Sequence, residues 1–141
     1  YVLVAIGRKA NTNGLQLEKA GLLANQRGQV ETVSHLETKV KGIYAIGDCT
    51  TGPMLAHKAE EEGIAAVETI LGLGGHVNYN VVPGVVYTHP EIANVGKTEE
   101  DLIAEKVEYS KGTFPFAANS RAKIACTKGT VVPTTNIPAI Y

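Results

Sequence analysis

One stretch near the middle of the chain sets the strongest limit on its fold. An apolar run ends at Gly47-Asp48, a Gly52-Pro53 turn follows, and a helix-forming sequence continues through Gly63. The order strand, acidic residue, turn and helix is typical of open α/β sheets, which bind ligands beyond the carboxyl ends of their strands. Free N–H groups at a helix start face such a crevice. The sequence therefore predicts an α/β fold with a ligand corner at Asp48 and the helix start.

Three further patterns surround this corner. Tyr1 to Ile6 is an unbroken β-prone apolar run, which predicts a strand buried on both faces. Ile43 to Ile46 predicts a second strand, and good helix formers predict a helix from about Leu55 to Leu71. Small residues at helical spacing predict a stripe that lets another backbone or a cofactor approach. The stripe consists of Ala56, Ala59, Gly63 and Ala66.

A linker-like stretch, residues 76–80, predicts a domain boundary near residue 80. Residues 1–80 would be the end of a nucleotide-type α/β domain, and residues 81–126 the start of an incomplete α+β module. The divergent tail, residues 127–141, contains two prolines that do not suit a central strand, and we place no site there. The chain lacks an initiating Met and opens inside an apolar run, which predicts a fragment. The elements expected in the second module are strands at residues 81–88, 91–95, 107–113 and 120–126, and a helix capped by Thr98 with Asp101.

Composition excludes several classes of function. The formal net charge of −1 provides no electrostatic footprint for nucleic acid or an anionic membrane. No apolar run approaches the roughly 20 residues that span a bilayer. Cys49 and Cys126 are far apart and match no metal-binding spacing, so we expect no zinc site.

Asp48 and the amides of Met54 to His57 are the leading site candidates. A carboxylate at a strand end can accept two hydroxyl hydrogen bonds from a sugar or polyol. Alternatively, Asp48 caps the following turn or faces solvent. The N–H groups of Met54, Leu55, Ala56 and His57 could bind an anion or a carbonyl oxygen, or they could form an ordinary hydrated helix start.

Four other side chains carry weaker signals. Cys49 directly follows a carboxylate and not a cation, so a packing role suits it better than a nucleophilic role. His57 could be a plain helix-surface imidazole. Glu91 and Arg121 could pair across an interface or be ordinary surface charges. The chain contains no catalytic triad, paired-carboxylate site or G-x-G-x-x-G fingerprint.

The order and spacing of five motifs resemble the dihydrolipoamide dehydrogenases of the pyridine-nucleotide disulfide oxidoreductase family. The resemblance covers residues 1 to about 125. The helix start, Met-Leu-Ala-His-Lys-Ala-x-x-Glu-Gly, is more specific to the lipoamide enzymes than the Gly-Asp pair. The motifs are residues 5–8 (Ala-Ile-Gly-Arg), 43–48 (Ile-Tyr-Ala-Ile-Gly-Asp), 53–63 (the helix start), 87–91 (Tyr-Thr-His-Pro-Glu) and 114–122 (Phe-Pro-Phe-Ala-Ala-Asn-Ser-Arg-Ala).

The resemblance implies the C-terminal edge of an FAD/NAD(P)-binding Rossmann-like domain, followed by the start of a dimerisation domain. It places Gly7 against NAD, Asp48 on the ribityl or pyrophosphate-proximal part of FAD, and the Met54–His57 backbone at the flavin ring. The implied reaction oxidises dihydrolipoamide on a lipoyl domain and passes electrons through a redox disulfide and FAD to NAD⁺. The implied partners are a second subunit and the lipoyl domains of 2-oxoacid dehydrogenase and glycine-cleavage complexes. The implied location is the mitochondrial matrix, or the cytoplasm in a bacterium.

Several parts expected from the resemblance lie outside this chain. They are the two glycine fingerprints, the C-x4-C disulfide and the His-Glu acid/base pair, and we give Cys49 and Cys126 no redox role. We therefore expect no turnover from this chain alone. Two alternatives stay open: a non-catalytic segment that pairs through residues 81–126, and another disulfide reductase of the same family.

Overall fold

The computed structural model describes residues 1–125, 129–131 and 134–135. The chain divides into two compact units, one from Tyr1 to Tyr79 and one that begins at Asn80. The helices are α1 (Ala56–Ile70), α2 (Glu99–Ala104) and α3 (Ser120–Ile124), and the strands are β1 (Thr32–Ser34), β2 (Glu37–Thr38), β3 (Gly84–Val86), β4 (Ile92–Asn94), β5 (Ser110–Lys111), β6 (Phe114–Pro115), β7 (Thr130–Val131) and β8 (Thr134–Thr135). Short 3₁₀ turns span Leu17–Ala20, Gly47–Cys49, Tyr79–Val81 and Phe116–Ala118.

The core of the first unit is small and lies beside the predicted ligand corner. Leu22, Val30 and Ala45 are buried together. Partly buried neighbours close the cluster, and Cys49 is one of them, which agrees with the packing role expected for its side chain. The core therefore fixes the chain on both sides of Asp48. The other partly buried members are Leu17, Val40 and Ile43.

β1 and β2 pair antiparallel through a two-residue connection, His35-Leu36. Both connecting residues have positive φ, at 45° and 68°, although neither is glycine. The second predicted strand, Ile43 to Ile46, lies beside β2 and the residue before it but pairs with them less than expected. Thr38 N–H donates to Ile43 O at 2.8 Å and Ala45 N–H donates to Leu36 O at 3.0 Å, but only one isolated bridge forms, at Tyr44.

The strand expected over Tyr1 to Ile6 is not formed. These residues belong to no helix or strand, and Val4 and Ile6 are 70% and 95% exposed. A strand exists through the ladder that it forms with a neighbour. No described segment of this chain pairs with residues 1–6, so the prediction is wrong for this structure.

Helix α1 spans the region predicted for it. Of the small-residue stripe, Ala59 and Gly63 face the segment before Asp48: a Cβ on Gly47 would lie 3.1 Å from Ala59 Cβ, and one on Gly63 would lie 3.6 Å from the Ile46 side chain. Ala56, at the start of the stripe, is exposed. The buried face of the helix shares Ala66 with the stripe and includes two charged residues. It consists of Lys58, Glu62, Ala65 and Ala66.

The second unit contains short antiparallel pairs and two small helices. β3 pairs with β4, with Val85 opposite Ala93, inside the two segments predicted as strands. α2 begins at the predicted capping box, in which the Thr98 hydroxyl accepts from Asp101 N–H and the Asp101 carboxylate accepts from Thr98 N–H. β5 and β6 lie at and just beyond the C-terminal end of the strand predicted for residues 107–113.

One prediction for this unit needs correction. Residues 120–124 form α3 instead of a strand, because the Asn119 side chain caps the helix by accepting from Ala122 N–H at 3.0 Å. In the described part of the tail, β7 pairs with β6 and β8 pairs with β5, each in a two-stranded sheet, so neither is a central strand. Cys126 and Lys128 lie outside the described residues.

Within the described ranges, the longest helices are too short or too polar to cross a lipid bilayer.

Candidate functional site

The corner around Asp48 is built from a single 3₁₀ turn, Gly47–Cys49. Gly47 is buried and has a φ of 71°, in the left-handed region that favours glycine. Thr50 N–H donates to Gly47 O at 3.2 Å and closes the turn. The turn follows the buried Ala45 directly, so the core fixes where the acidic residue emerges.

Two hydrogen bonds tie the far side of this turn to the neighbouring loop. Val30 N–H donates to Cys49 O at 2.8 Å, and the buried Gln29 side-chain amide donates to Thr50 O at 3.2 Å. The Cys49 thiol donates to Ile46 O at 3.1 Å. The backbone around Asp48 is therefore held from both sides, while its side chain remains accessible.

The Asp48 carboxylate is half-exposed and lies beside one cation. Its Oδ2 is 3.4 Å from Arg8 Nη2, and the two side chains are 47% and 72% exposed. An exposed ion pair of this kind contributes at most about 1 kcal/mol to stability. A ligand hydroxyl or phosphate can therefore compete for either partner at low cost.

The start of α1 forms the other side of the corner. Leu55 is the N-cap in an extended conformation, no side chain caps the helix, and its first turn contains no acidic residue. Ala56 and His57 are exposed, and Met54 and Leu55 are partly buried. The positive end of the helix dipole is thus not neutralised by a carboxylate on this helix.

A cleft of about 620 Å³ brings two of the predicted site residues together, Gly7 and Met54. Its size falls in the range of small-molecule sites, roughly 300–1,000 Å³. Arg8 lines the cleft and also contacts Asp48, so the cleft and the corner are contiguous. Its lining contains three cations and no carboxylate, which suits a phosphate group. The remaining lining residues are Lys9, Gln26, Arg27, Gln29 and Gly52.

A second cavity, of about 390 Å³, lies between the β1–β2 hairpin and the residues after α1. His35, His76 and Tyr79 line it, and His35 Nδ1 lies 3.4 Å from Gly75 O. None of the predicted site residues borders this cavity.

Sequence reasoning missed a buried ion pair beneath the corner. Lys58 Nζ lies 2.9 Å from Glu62 Oε1, and both side chains are fully buried. Glu62 also accepts hydrogen bonds from Gly47 N–H at 2.7 Å and from the Tyr79 hydroxyl at 2.9 Å. Burial first, and the Glu62 carboxylate second, raise the pKa of Tyr79 to about 12, so its hydroxyl stays protonated as a donor at neutral pH. The four-residue spacing of Lys58 and Glu62 was visible in the sequence, but it usually marks an exposed helix pair.

Two buried polar atoms near the corner lack hydrogen-bond partners among the described residues: Thr50 Oγ1 and Lys58 Nζ. The 2.9 Å contact of Lys58 with Glu62 is thus an ion pair without hydrogen-bond geometry. A buried polar atom without a partner costs free energy.

The remaining charged candidates, Glu91 and Arg121, form an exposed ion pair. Glu91 and Arg121 pair with each other at 3.8 Å, but both are largely exposed, so the pair contributes little. The described part of the chain contains no cluster of three His, Cys, Asp or Glu residues that could bind a metal ion.

Two segments of the chain match known families. Residues 1–63 match the family described as pyridine nucleotide-disulphide oxidoreductase, and residues 82–132 match the dimerisation domain of the same family. The chain belongs to the pyridine nucleotide-disulphide oxidoreductase family. The two matches follow each other in the expected order: the end of a nucleotide-binding α/β domain, then the start of a dimerisation domain.

Curated members of this family are similar to the chain over most of its length. It is 59% identical over 122 residues to a mitochondrial dihydrolipoyl dehydrogenase of Dictyostelium discoideum, covering 86% of this chain and 25% of that protein. It is 57% identical over 128 residues to a dihydrolipoyl dehydrogenase of Trypanosoma brucei brucei, covering 90% of this chain and 27% of that protein. The chain therefore spans about a quarter of the length of these relatives.

Solved structures of the family have the same fold. The HOCl-induced flavoprotein disulfide reductase RclA from Escherichia coli superposes with a TM-score of 0.78 at 29% identity, covering 93% of this chain and 31% of that chain. LpdA from Mycobacterium tuberculosis gives a TM-score of 0.77 at 33% identity, covering 89% and 28%.

Proposed function

We propose that this family member is a segment of a dihydrolipoyl dehydrogenase, an oxidoreductase that oxidises protein-bound dihydrolipoamide with NAD⁺ by way of FAD and a redox disulfide. The observation that carries the proposal is the identity of 55–59% to enzymes of that name across at least 86% of the chain. The disulfide reductase RclA is only 29% identical, which favours the lipoamide enzyme over another reductase of the family.

The proposed role of the corner is to bind FAD, which would supply the two-electron chemistry between the disulfide and NAD⁺. The Asp48 carboxylate would accept hydrogen bonds from ribityl hydroxyls, since ionised oxygens are strong acceptors. The cations of the cleft, Arg8, Lys9 and Arg27, would attract the phosphates. The backbone of Met54, Leu55, Ala56 and His57 would direct the positive end of α1 toward the flavin ring, where negative charge is stabilised.

A role for Gly7 in binding NAD is part of the same proposal. Gly7 is exposed, its φ is 137°, and no atom lies within 4 Å of the position of a Cβ. A dinucleotide can therefore approach its backbone closely, which a glycine permits and a side chain would hinder.

We further propose that the parent protein is a homodimer that serves lipoyl domains of 2-oxoacid dehydrogenase and glycine-cleavage complexes. The match of residues 82–132 to a dimerisation domain supports the homodimer. Mitochondrial relatives in Dictyostelium and human support a mitochondrial location, and a relative in Pseudomonas putida supports the cytoplasmic alternative. The same match supports a second proposal, that the chain by itself is a non-catalytic segment that pairs with a full-length subunit through residues 81–126.

The replacement Asp48→Ala in the full-length protein tests the corner. We expect FAD affinity to fall by about ten- to a hundredfold, because charge-assisted hydrogen bonds contribute roughly 1.5–3 kcal/mol each. Flavin content of the purified protein and titration of the apoprotein with FAD measure this. Glu61→Ala, an exposed carboxylate on α1, is the matched control. Unchanged flavin content in Asp48→Ala would contradict the assigned role.

A further inference from the structure

Helix α1 contains a fully buried salt bridge, although Lys and Glu side chains are rarely fully buried in proteins. Lys58 and Glu62 lie one turn apart on α1, and each is 0% exposed. Removing two charges from water costs about as much as their attraction returns, so such a pair is weak support for stability. Its position suggests a different reason for its presence.

The Glu62 carboxylate is the point where three groups meet. Oε2 accepts from Gly47 N–H at 2.7 Å. Oε1 accepts from the Tyr79 hydroxyl at 2.9 Å and lies 2.9 Å from Lys58 Nζ. Of these partners, Gly47 is the residue directly before Asp48, so the carboxylate holds the backbone from which the ligand-binding acid projects.

Helix α1 also contacts Gly47 through the side chain of Ala59. A Cβ on Gly47 would lie only 3.1 Å from Ala59 Cβ, closer than an ordinary van der Waals contact, so a side chain here would force the helix surface to shift. The left-handed backbone of Gly47 is thus fixed by contact with Ala59 and by the hydrogen bond to Glu62. Both contacts come from the same helix whose N-terminus forms the other side of the corner.

We infer that Glu62 is a positioning residue for FAD, which acts by holding the Gly47 amide and so the Asp48 carboxylate at a fixed distance from the α1 N-terminus. Lys58 balances the charge of Glu62, and the Tyr79 hydroxyl saturates its second oxygen. This inference rests on the proposed FAD role of the corner. None of the three side chains needs to touch the cofactor.

Two double variants of the full-length protein separate the hydrogen bond from the buried charges. Lys58→Met with Glu62→Gln removes both charges but keeps a side-chain oxygen that can accept from Gly47 N–H. Lys58→Met with Glu62→Leu removes both charges and the acceptor. The two proteins differ in one side chain of similar size. Glu61→Leu, at an exposed position of the same helix, controls for the added apolar surface.

We expect the glutamine double variant to bind FAD within about twofold of the wild type, and the leucine double variant to bind about tenfold more weakly, because its Gly47 N–H is buried without an acceptor. FAD titration of each apoprotein measures the affinity. Visible circular dichroism of the bound flavin reports its orientation, which a change in stability alone would not alter. Far-ultraviolet circular dichroism shows whether each variant is folded.

Equal affinities in the two folded double variants would overturn the inference. Loss of FAD from a folded glutamine variant would also overturn it, even if the leucine variant did not fold, since the glutamine variant keeps the acceptor. Failure of the proposed function has a different signature: the wild type would hold no flavin, or Asp48→Ala would bind FAD as well as the wild type.

Discussion

At the scale of single residues, Gly47 is the most constrained position of the corner. It combines a φ of 71°, a hydrogen bond to Glu62 and close packing against Ala59 Cβ. A side chain here would meet both a conformational and a steric penalty. Because Asp48 is the next residue, any shift that relieves the contact would also move its carboxylate.

Comparison of Gly47→Ala with Gly42→Ala isolates the steric part of this penalty. Both glycines have positive φ, 71° and 82°, but no atom lies within 4 Å of a Cβ on Gly42. We expect both variants to lose about 1–2 kcal/mol from the left-handed backbone. Gly47→Ala should lose about 1 kcal/mol more from overpacking, measured by urea unfolding of the full-length protein. Equal losses would show that α1 moves to accept the methyl group.

The sequence predicted the position of a residue where the local pattern of apolar and polar residues determines it. It did not predict positions that depend on tertiary contacts and burial. Asp48 follows an apolar run, so its place at the end of that run could be predicted. The pairing of Arg8 with Asp48 depends on two segments 40 residues apart meeting, which no local pattern encodes. Lys58 and Glu62 were missed because charged side chains at helical spacing predict a surface, and the structure buries them.

At the scale of elements, side-chain caps determine where the short helices α2 and α3 begin. The prediction was correct where the cap was recognised in the sequence and wrong where it was not. The Thr98–Asp101 pair predicted the start of α2, and both reciprocal hydrogen bonds are present. The Asn119 side chain caps α3 by accepting from Ala122 N–H, without the reciprocal side-chain bond of a capping box, but this segment was predicted as a strand. A short apolar run allows either structure, and the cap selects the helix.

The capping box predicts a pH dependence for α2. Hydrogen bonds from the backbone and the side chain of Thr98 hold the pKa of Asp101 below its ordinary value. A lowered pKa in the folded state means that the stabilisation is present above the unfolded-state pKa, about 3.9, and is lost as pH falls through the folded-state pKa. Asp101→Asn should therefore speed amide exchange in α2 near neutral pH, and this difference should shrink at strongly acidic pH.

Hydrogen exchange of the α2 amides, measured in the full-length protein, tests this prediction. Glu100→Gln removes a charge from the same helical turn but leaves the capping box intact, so it serves as the control. An equal effect of the two substitutions at neutral pH would mean that charge at the helix start, and not the capping box, stabilises α2.

At the scale of the whole molecule, a large apolar surface remains uncovered. In the N-terminal segment, Tyr1 to Val4 and Ile6 are each at least 70% exposed, and the outer face of α1 and the turn after it expose further large side chains. Monomeric soluble proteins rarely expose contiguous apolar patches larger than a few hundred Å². Because the chain spans about a quarter of its relatives, we expect the rest of the parent protein to cover these residues. The exposed residues of α1 and the following turn are Ile64, Val67, Ile70, Leu71 and Leu73.

This exposure predicts how the isolated 141-residue chain behaves. We expect it to bind the apolar dye ANS, to unfold without a cooperative thermal transition, and to catalyse no lipoamide-dependent reduction of NAD⁺. The full-length protein, assayed in parallel, should exclude the dye, unfold cooperatively and turn over substrate. Cooperative unfolding of the isolated chain without dye binding would show that its small core is sufficient for stability. Measurable turnover would show that residues outside this chain are dispensable, contrary to the proposal that it is one part of a larger flavoprotein.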